Sequence, residues 1–140
     1  MNRVAMCTRV ETVADAAALF SMFLPDVQKE ERVFVLPLDA NGVVLAKPIL
    51  IAVGHVNGMT AIDAGAVFRA ALKVGAEEII VAHNHPSGRL RPSMADLRMT
   101  KELKSRAEWL GLRLLDHLIL GAPSTGGNID FMSLAETGEL

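Results

Sequence analysis

Residues 77–96 read EEIIVAHNHPSGRLRPSMAD and predict a strand, a loop and the start of a helix. The apolar run before His83 predicts a short buried strand. Its end leads into a loop rich in proline and glycine, and Ser93 begins a long helix that ends near Gly111. The histidines of this stretch therefore follow the carboxyl end of a strand, which is where open α/β sheets bind ligands.

The rest of the chain supplies the other layers of the predicted fold. Helices are predicted after capping residues, from Thr12 to about Phe23, from Thr60 or Asp63 to Gly75, from Ser93 to near Gly111, and, at the end, a short helix from Ser133. Strands are predicted at apolar runs, namely residues 32–39, 43–54 with a break or edge position at Pro48, 77–85 and 112–120. Before the last helix the order is α-β-β-α-β-α-β. It predicts an α/β fold in which helices cover a mixed β-sheet.

The composition narrows the class of protein. The chain has 140 residues, of which 51% are hydrophobic and 21% charged, as in a single globular domain. A net charge of −2 and an aromatic content of 4% argue against a chain that binds nucleic acid on its own. The single cysteine, Cys7, cannot form an internal disulfide, and no segment is long enough to cross a bilayer. We therefore expect a soluble, cytoplasmic protein with no membrane partner.

His83 and His85 form a candidate metal-binding pair with Asp96. Side chains at positions i and i+2 of an extended segment point to the same side, so both imidazoles can reach one ion while Asn84 turns away. Asp96, one turn into the following helix, is a plausible third ligand. Imidazole nitrogens and carboxylate oxygens bind zinc, and a catalytic zinc keeps three protein ligands and one water.

The same residues also have structural interpretations. A loop histidine is often only solvated, and Ser93-x-x-Asp96 has the pattern of a capping box at a helix start. A cytidine-deaminase type of zinc site requires a Cys-x-x-Cys pair, which a chain with one cysteine lacks. From these residues alone, a metal site and a capped helix both remain open.

The motif spacing is that of a known family. His83-x-His85, seven residues, Ser93, two residues and Asp96 together resemble the JAMM motif of MPN-domain metalloproteases. The runs LDANG, HNHPSG, LLDHLIL and SLAETG make residues 31–138 similar to the bacterial RadC family, formerly labelled as DNA-repair proteins. This resemblance implies a JAB/MPN (cytidine-deaminase-like) architecture, with one domain over residues 1–140 and an N-terminal helical extension at residues 1–30.

The resemblance also implies roles for the site residues. A Zn²⁺ ion would be held by His83, His85 and Asp96. An upstream glutamate, Glu31 or else Glu30, would deprotonate the attacking water, and Ser93 would stabilise the oxyanion. The implied reaction is zinc-dependent hydrolysis of peptide or isopeptide bonds in a protein or peptide substrate, with a ubiquitin-like protein as one candidate.

Several alternatives stay open beside this reading. The chain could be a non-catalytic MPN-type binding module or a DNA-repair accessory protein, and a second copy of the chain is another candidate partner. Two further histidines have undecided roles. His55 is either close to the metal or simply on the surface, and His117 either orients a metal ligand or is structural.

Overall fold

One five-stranded sheet organises the computed structural model of the chain, which describes residues 8–54, 63–123 and 128–140. In chain order the elements are α1 (Val13–Ser21), β1 (Glu31–Leu38), β2 (Ile49–Gly54), α2 (Ala64–Lys73), β3 (Glu78–Asn84), α3 (Met94–Trp109), β4 (Arg113–Pro123) and β5 (Ile129–Ser133). The strand order across the sheet is β2-β1-β3-β4-β5. The β3–β4 pair is parallel and the other pairs are antiparallel, so the predicted mixed sheet is confirmed.

Helices cover both faces of the sheet, as predicted. Successive residues of β1 point to opposite faces, and nearly all of them are buried. Val33 and Val35 pack in a cluster with the apolar faces of α2 and α3. Phe34 and Leu36 pack in a second cluster with α1. Since β1 is covered on both sides, it reads in the sequence as a continuous apolar run rather than an alternating one.

The helix starts follow from their capping residues. Thr12 caps α1 in a reciprocal capping box with Asp15, and Asp63 caps α2 by accepting a hydrogen bond from the backbone N–H of Gly65. Ser93 caps α3, which ends sixteen residues later at Trp109. The indole of Trp109 is 89% exposed. No helix in the described ranges is long and apolar enough to span a bilayer.

Two sequence predictions need correction. Ser133 is the last residue of a strand, β5, that pairs with β4, and residues 134–138 after it form a turn and not the predicted last helix. The break and edge position predicted at Pro48 are confirmed, because β2 begins directly after it as an edge strand, but the residues before Pro48 form no strand and make only isolated bridges at Val43 and Val44. The predicted positions Thr60 and His55 lie outside the described residues.

The sheet topology brings distant parts of the chain to one edge. Because β1 and β3 are antiparallel, with Val33 opposite His83, the first residue of β1 lies beside the last residues of β3. The loop after β3 returns the chain to the start of α3, and His85 N–H bonds to the carbonyl of Leu120 on β4. Glu31, the two histidines and the first turn of α3 consequently surround one point.

Candidate metal centre

His83 and His85 point to the same side of β3, as the alternation of an extended segment predicts. Their Nε2 atoms are 3.0 Å apart. Asn84 points the other way, where its side chain bonds to residues at the start of β1. The loop turns immediately afterwards, with the N–H of Gly88 bonded to the carbonyl of His85 and a φ of 82° at this glycine.

Asp96 faces both histidines from the first turn of α3. Its Oδ1 lies 3.3 Å from Nε2 of His83, and its Oδ2 lies 3.2 Å from Nε2 of His85. The same residue completes the capping box, because the Ser93 N–H donates to Asp96 Oδ2 over 2.8 Å and the Asp96 N–H donates to Ser93 Oγ over 3.0 Å. The side chain of Asp96 thus both caps α3 and places a carboxylate beside the two imidazoles.

The structure places Glu31, and not Glu30, beside the histidines. Glu31 is 4% exposed, and its Oε1 lies 3.9 Å from Nε2 of His85. The side chain of Glu30 is 53% exposed and lies 4.0 Å from the guanidinium of Arg32. Glu31 is the first residue of β1, whereas Glu30 lies directly before the strand and its side chain is turned to solvent, so only Glu31 faces the site.

Asn84 fixes the backbone on both sides of this glutamate. Its Nδ2 donates to the carbonyl of Glu30 over 3.0 Å, and its Oδ1 accepts from the N–H of Arg32 over 2.6 Å. Nδ2 also donates to Gln28 Oε1. From the sequence, Asn84 was predicted only to turn away from the metal. The signal that could have shown its role is an amide side chain at the end of a buried, mostly apolar strand, because a buried polar group requires hydrogen-bond partners.

Burial and close contacts shift the pKa values of the four groups. Burial lowers the pKa of His83 and raises that of Glu31. For Asp96, burial alone would raise the pKa, but the two histidine rings that face its carboxylate hold it far below the ordinary value. For His85, burial would lower the pKa, but the adjacent Asp96 carboxylate raises it. The site therefore keeps negative charge on Asp96 in a buried place.

These groups suit a divalent metal ion. Ligand atoms of Glu31, His83 and His85 lie within 4.8 Å of one another. Two buried carboxylate oxygens, Glu31 Oε2 and Asp96 Oδ1, have no hydrogen-bond partner among the described residues. His85 Nδ1 is 2.7 Å from the carbonyl oxygen of Arg89, which can only accept, so Nδ1 carries the proton and Nε2 keeps its lone pair. A cation would satisfy these atoms, and the group could bind a metal ion.

His117 is in direct contact with one of these histidines. It is completely buried, and its Nε2 lies 2.8 Å from His83 Nδ1. Its Nδ1 lies 2.6 Å from the hydroxyl of Thr100. Burial holds the pKa of His117 well below the ordinary value, and the neighbouring His83 adds to that effect. Nothing in the local sequence pattern distinguishes Thr100 from other helix residues, so this contact could not be predicted from the sequence.

Comparison with known proteins agrees with the motif. Residues 10–139 match the family described as the RadC-like JAB domain. The chain is 44% identical over 94 residues to a UPF0758 protein of Carboxydothermus hydrogenoformans, a match that covers 67% of this chain and 41% of the relative. It is 43% identical over 113 residues to one from Acaryochloris marina, which covers 81% and 43%. The match to one from Chlorobium chlorochromatii is 37% over 112 residues and covers 80% and 49%.

The aligned part of this chain thus spans less than half the length of these curated relatives. The family match, in contrast, extends over nearly the whole chain and includes every residue of the candidate metal centre. The resemblance to the RadC family is therefore confirmed. The chain belongs to the RadC-like JAB domain family.

Proposed function

We propose that the protein is a zinc-dependent metallopeptidase that hydrolyses peptide or isopeptide bonds. One observation carries this proposal: the Nε2 atoms of His83 and His85 and the buried carboxylates of Asp96 and Glu31 face one point. Two imidazoles and a carboxylate are a common set of protein ligands for catalytic zinc. The substrate class is a protein or peptide, and a ubiquitin-like protein is one candidate.

In this proposal His83, His85 and Asp96 hold the ion. Asp96 is chosen over Glu31 as the third ligand because its oxygens lie 3.2 and 3.3 Å from the two Nε2 atoms, whereas Glu31 Oε1 lies 3.9 Å from the nearer one. A bound zinc would polarise the scissile carbonyl and make water more acidic. The remaining chemistry falls to side chains of the chain itself.

Glu31 moves the proton. Its carboxylate takes a proton from the attacking water as the water oxygen bonds to the scissile carbonyl carbon. When the carbon–nitrogen bond breaks, Glu31 passes the same proton to the leaving amine, which departs neutral. The buried position of Glu31 beside His85 keeps bulk water from competing for that proton.

Ser93 supplies a hydrogen-bond donor for the oxyanion. In the cap its Oγ accepts from the N–H of Asp96, which uses a lone pair and leaves the hydroxyl proton available. The proton can therefore be donated to a negatively charged oxygen while the cap stays intact. The structural and the chemical interpretation of Ser93 are compatible.

The proposal is tested with Glu31→Gln and its neighbour Glu30→Gln as the matched control. We expect the untreated protein to contain about one zinc per chain by elemental analysis and to cleave a peptide or isopeptide substrate. Glu31→Gln should lower turnover by roughly a hundred- to ten-thousand-fold with zinc still bound, because the acid-base group is lost. Glu30→Gln should retain activity, since Glu30 points to solvent.

Two outcomes would contradict the proposal. Turnover by Glu31→Gln equal to that of the parent protein would show that Glu31 is not the acid-base group. A protein that binds zinc but cleaves no member of a panel of peptides and ubiquitin-like conjugates would favour the non-catalytic binding module.

A further inference from the structure

A chain of hydrogen bonds runs from His83 into the interior and ends at a backbone carbonyl. His83 Nδ1 lies 2.8 Å from His117 Nε2, and His117 Nδ1 lies 2.6 Å from Thr100 Oγ1. Thr100 Oγ1 in turn donates to the carbonyl of Asp96 over 2.8 Å. This series of hydrogen bonds thus begins at His83, which faces the metal position, and ends at the backbone of Asp96, which also faces it.

The backbone carbonyl at the end of this series of hydrogen bonds determines which atom is the donor in each of them. A carbonyl oxygen only accepts, so the single hydroxyl proton of Thr100 is used on Asp96, and the hydroxyl oxygen accepts from Nδ1–H of His117. Neutral His117 then has a lone pair on Nε2, which accepts from Nδ1–H of His83. His83 is left with its lone pair on Nε2, the atom that faces Asp96 and His85.

We propose that His117 and Thr100 are positioning residues that hold the proton of His83 on Nδ1 and aim its Nε2 lone pair at the metal. This inference rests on the metal site of the proposed function. It assigns to His117 a role in orienting a ligand, and it adds Thr100, which the motif does not contain.

The two metal-facing histidines are oriented by different means. His85 donates from Nδ1 to the carbonyl of Arg89 within the loop that follows it. His83, His117 and Thr100 are all buried and stand on three separate elements, β3, β4 and α3. A partner on the far nitrogen fixes both the tautomer and the ring orientation of a histidine ligand. Packing between rigid elements holds that partner more firmly than a loop does.

His117→Leu and His117→Gln form the first pair of test variants. Leucine fills the space but cannot accept a hydrogen bond, whereas the glutamine carbonyl can accept from His83 Nδ1–H. Zinc affinity is measured by competition with a chromophoric chelator, and the fold is checked by circular dichroism. We expect a 10- to 100-fold loss of affinity in the leucine variant and recovery of most of that loss in the glutamine variant.

Thr100→Val and Thr100→Ser test the next position in the same way. Valine has the shape of threonine but leaves His117 Nδ1–H without an acceptor, whereas serine keeps the hydroxyl. Affinity should fall in the valine variant and stay near the parent value in the serine variant. If the valine variant or His117→Leu binds zinc as tightly as the parent, or if glutamine is no better than leucine, the proposal is wrong.

Nitrogen-15 NMR of the imidazole rings gives a readout that needs neither zinc nor activity. We expect His117 in the full chain to carry its proton on Nδ1, with and without zinc. A proton on Nε2 of His117 would reverse donor and acceptor in these hydrogen bonds and overturn the proposal, whether or not the variants fold. If the parent chain binds no zinc, the proposed function fails by that result alone, and the His117 tautomer still decides whether the proton arrangement is correct.

Discussion

At the scale of the residue, Asp96 shows how a structural motif and a reactive site share atoms. Its Oδ2 accepts the N–H of Ser93 in the helix cap and faces His85, while Oδ1 faces His83 without a hydrogen bond. The cap orients the carboxylate before any ion arrives. Preorganisation of this kind reduces the free energy needed to assemble a ligand set.

The Ser93 side chain allows the cap and the oxyanion role to be measured separately. Asparagine caps a helix about as well as serine, but its donor lies elsewhere. We expect Ser93→Asn to keep its thermal stability and zinc content while turnover falls roughly a hundred- to a thousand-fold. Ser93→Ala should show the same loss of turnover and lose about 1 kcal/mol in the free energy of unfolding. Near-normal turnover of the asparagine variant would reduce Ser93 to a cap.

At the scale of the element, the pairing of β1 with β3 decides which glutamate reaches the histidines, and Asn84 holds that pairing. Asn84→Ala leaves the carbonyl of Glu30 and the N–H of Arg32 without their side-chain partner. We expect the free energy of unfolding, measured by urea denaturation, to fall by about 1–3 kcal/mol. Turnover should fall while zinc stays bound, because Glu31 loses its fixed position.

Gln28→Ala is the control for this prediction. It removes the bond from Asn84 Nδ2 and a long bond of 3.4 Å to the Gly121 carbonyl, but the carbonyl of Glu30 and the N–H of Arg32 keep their bonds to Asn84. Its effect on stability should be clearly smaller. Equal losses in the two variants would show that the backbone contacts of Asn84 contribute little.

The strands and helices that could be predicted are those with strong local signals. The capping residues Thr12 and Ser93 predicted where α1 and α3 begin, and apolar runs predicted the positions of β1, β3 and β4. β5 was missed because a five-residue edge strand depends on pairing with β4, which the local pattern does not contain. Within α2 the apolar Leu72 is 47% exposed, because the buried positions follow the spacing of Val67 and Ala71.

The site was predictable only where the motif is contiguous. His83, His85 and Asp96 lie within fourteen residues, so strand alternation and one loop are enough to place them together. The choice between Glu31 and Glu30 depends on strand register, in which a shift of one residue reverses every side chain. The contact of His117 with His83 depends on the parallel register of β3 and β4, and no local pattern encodes it.

At the scale of the whole molecule, a metal ion held by His83, His85 and Asp96 would connect β3, the loop that follows it and α3 at one edge of the sheet. Ligand binding to the native state alone adds RT ln(1 + [L]/Kd) to its stability. We expect zinc at a hundred times its Kd to raise the free energy of unfolding by about 2.7 kcal/mol over the protein in chelator. His85→Ala should fold, because His85 is a half-buried loop residue, but show no such increase and no bound zinc. An unchanged zinc response in that variant would disprove the ligand assignment.

The exposed indole of Trp109 determines how such measurements can be made. Trp109 is the only tryptophan of the chain and stands at the opposite end of α3 from Asp96, about 20 Å away at the helical rise of 1.5 Å per residue. Its ring is already exposed to water in the native protein, so the wavelength of its fluorescence emission should shift little when the protein unfolds or when the site binds a metal ion. Unchanged tryptophan fluorescence would therefore not be evidence against folding or metal binding. A second tryptophan placed under α1 would supply the optical reporter that the natural sequence lacks.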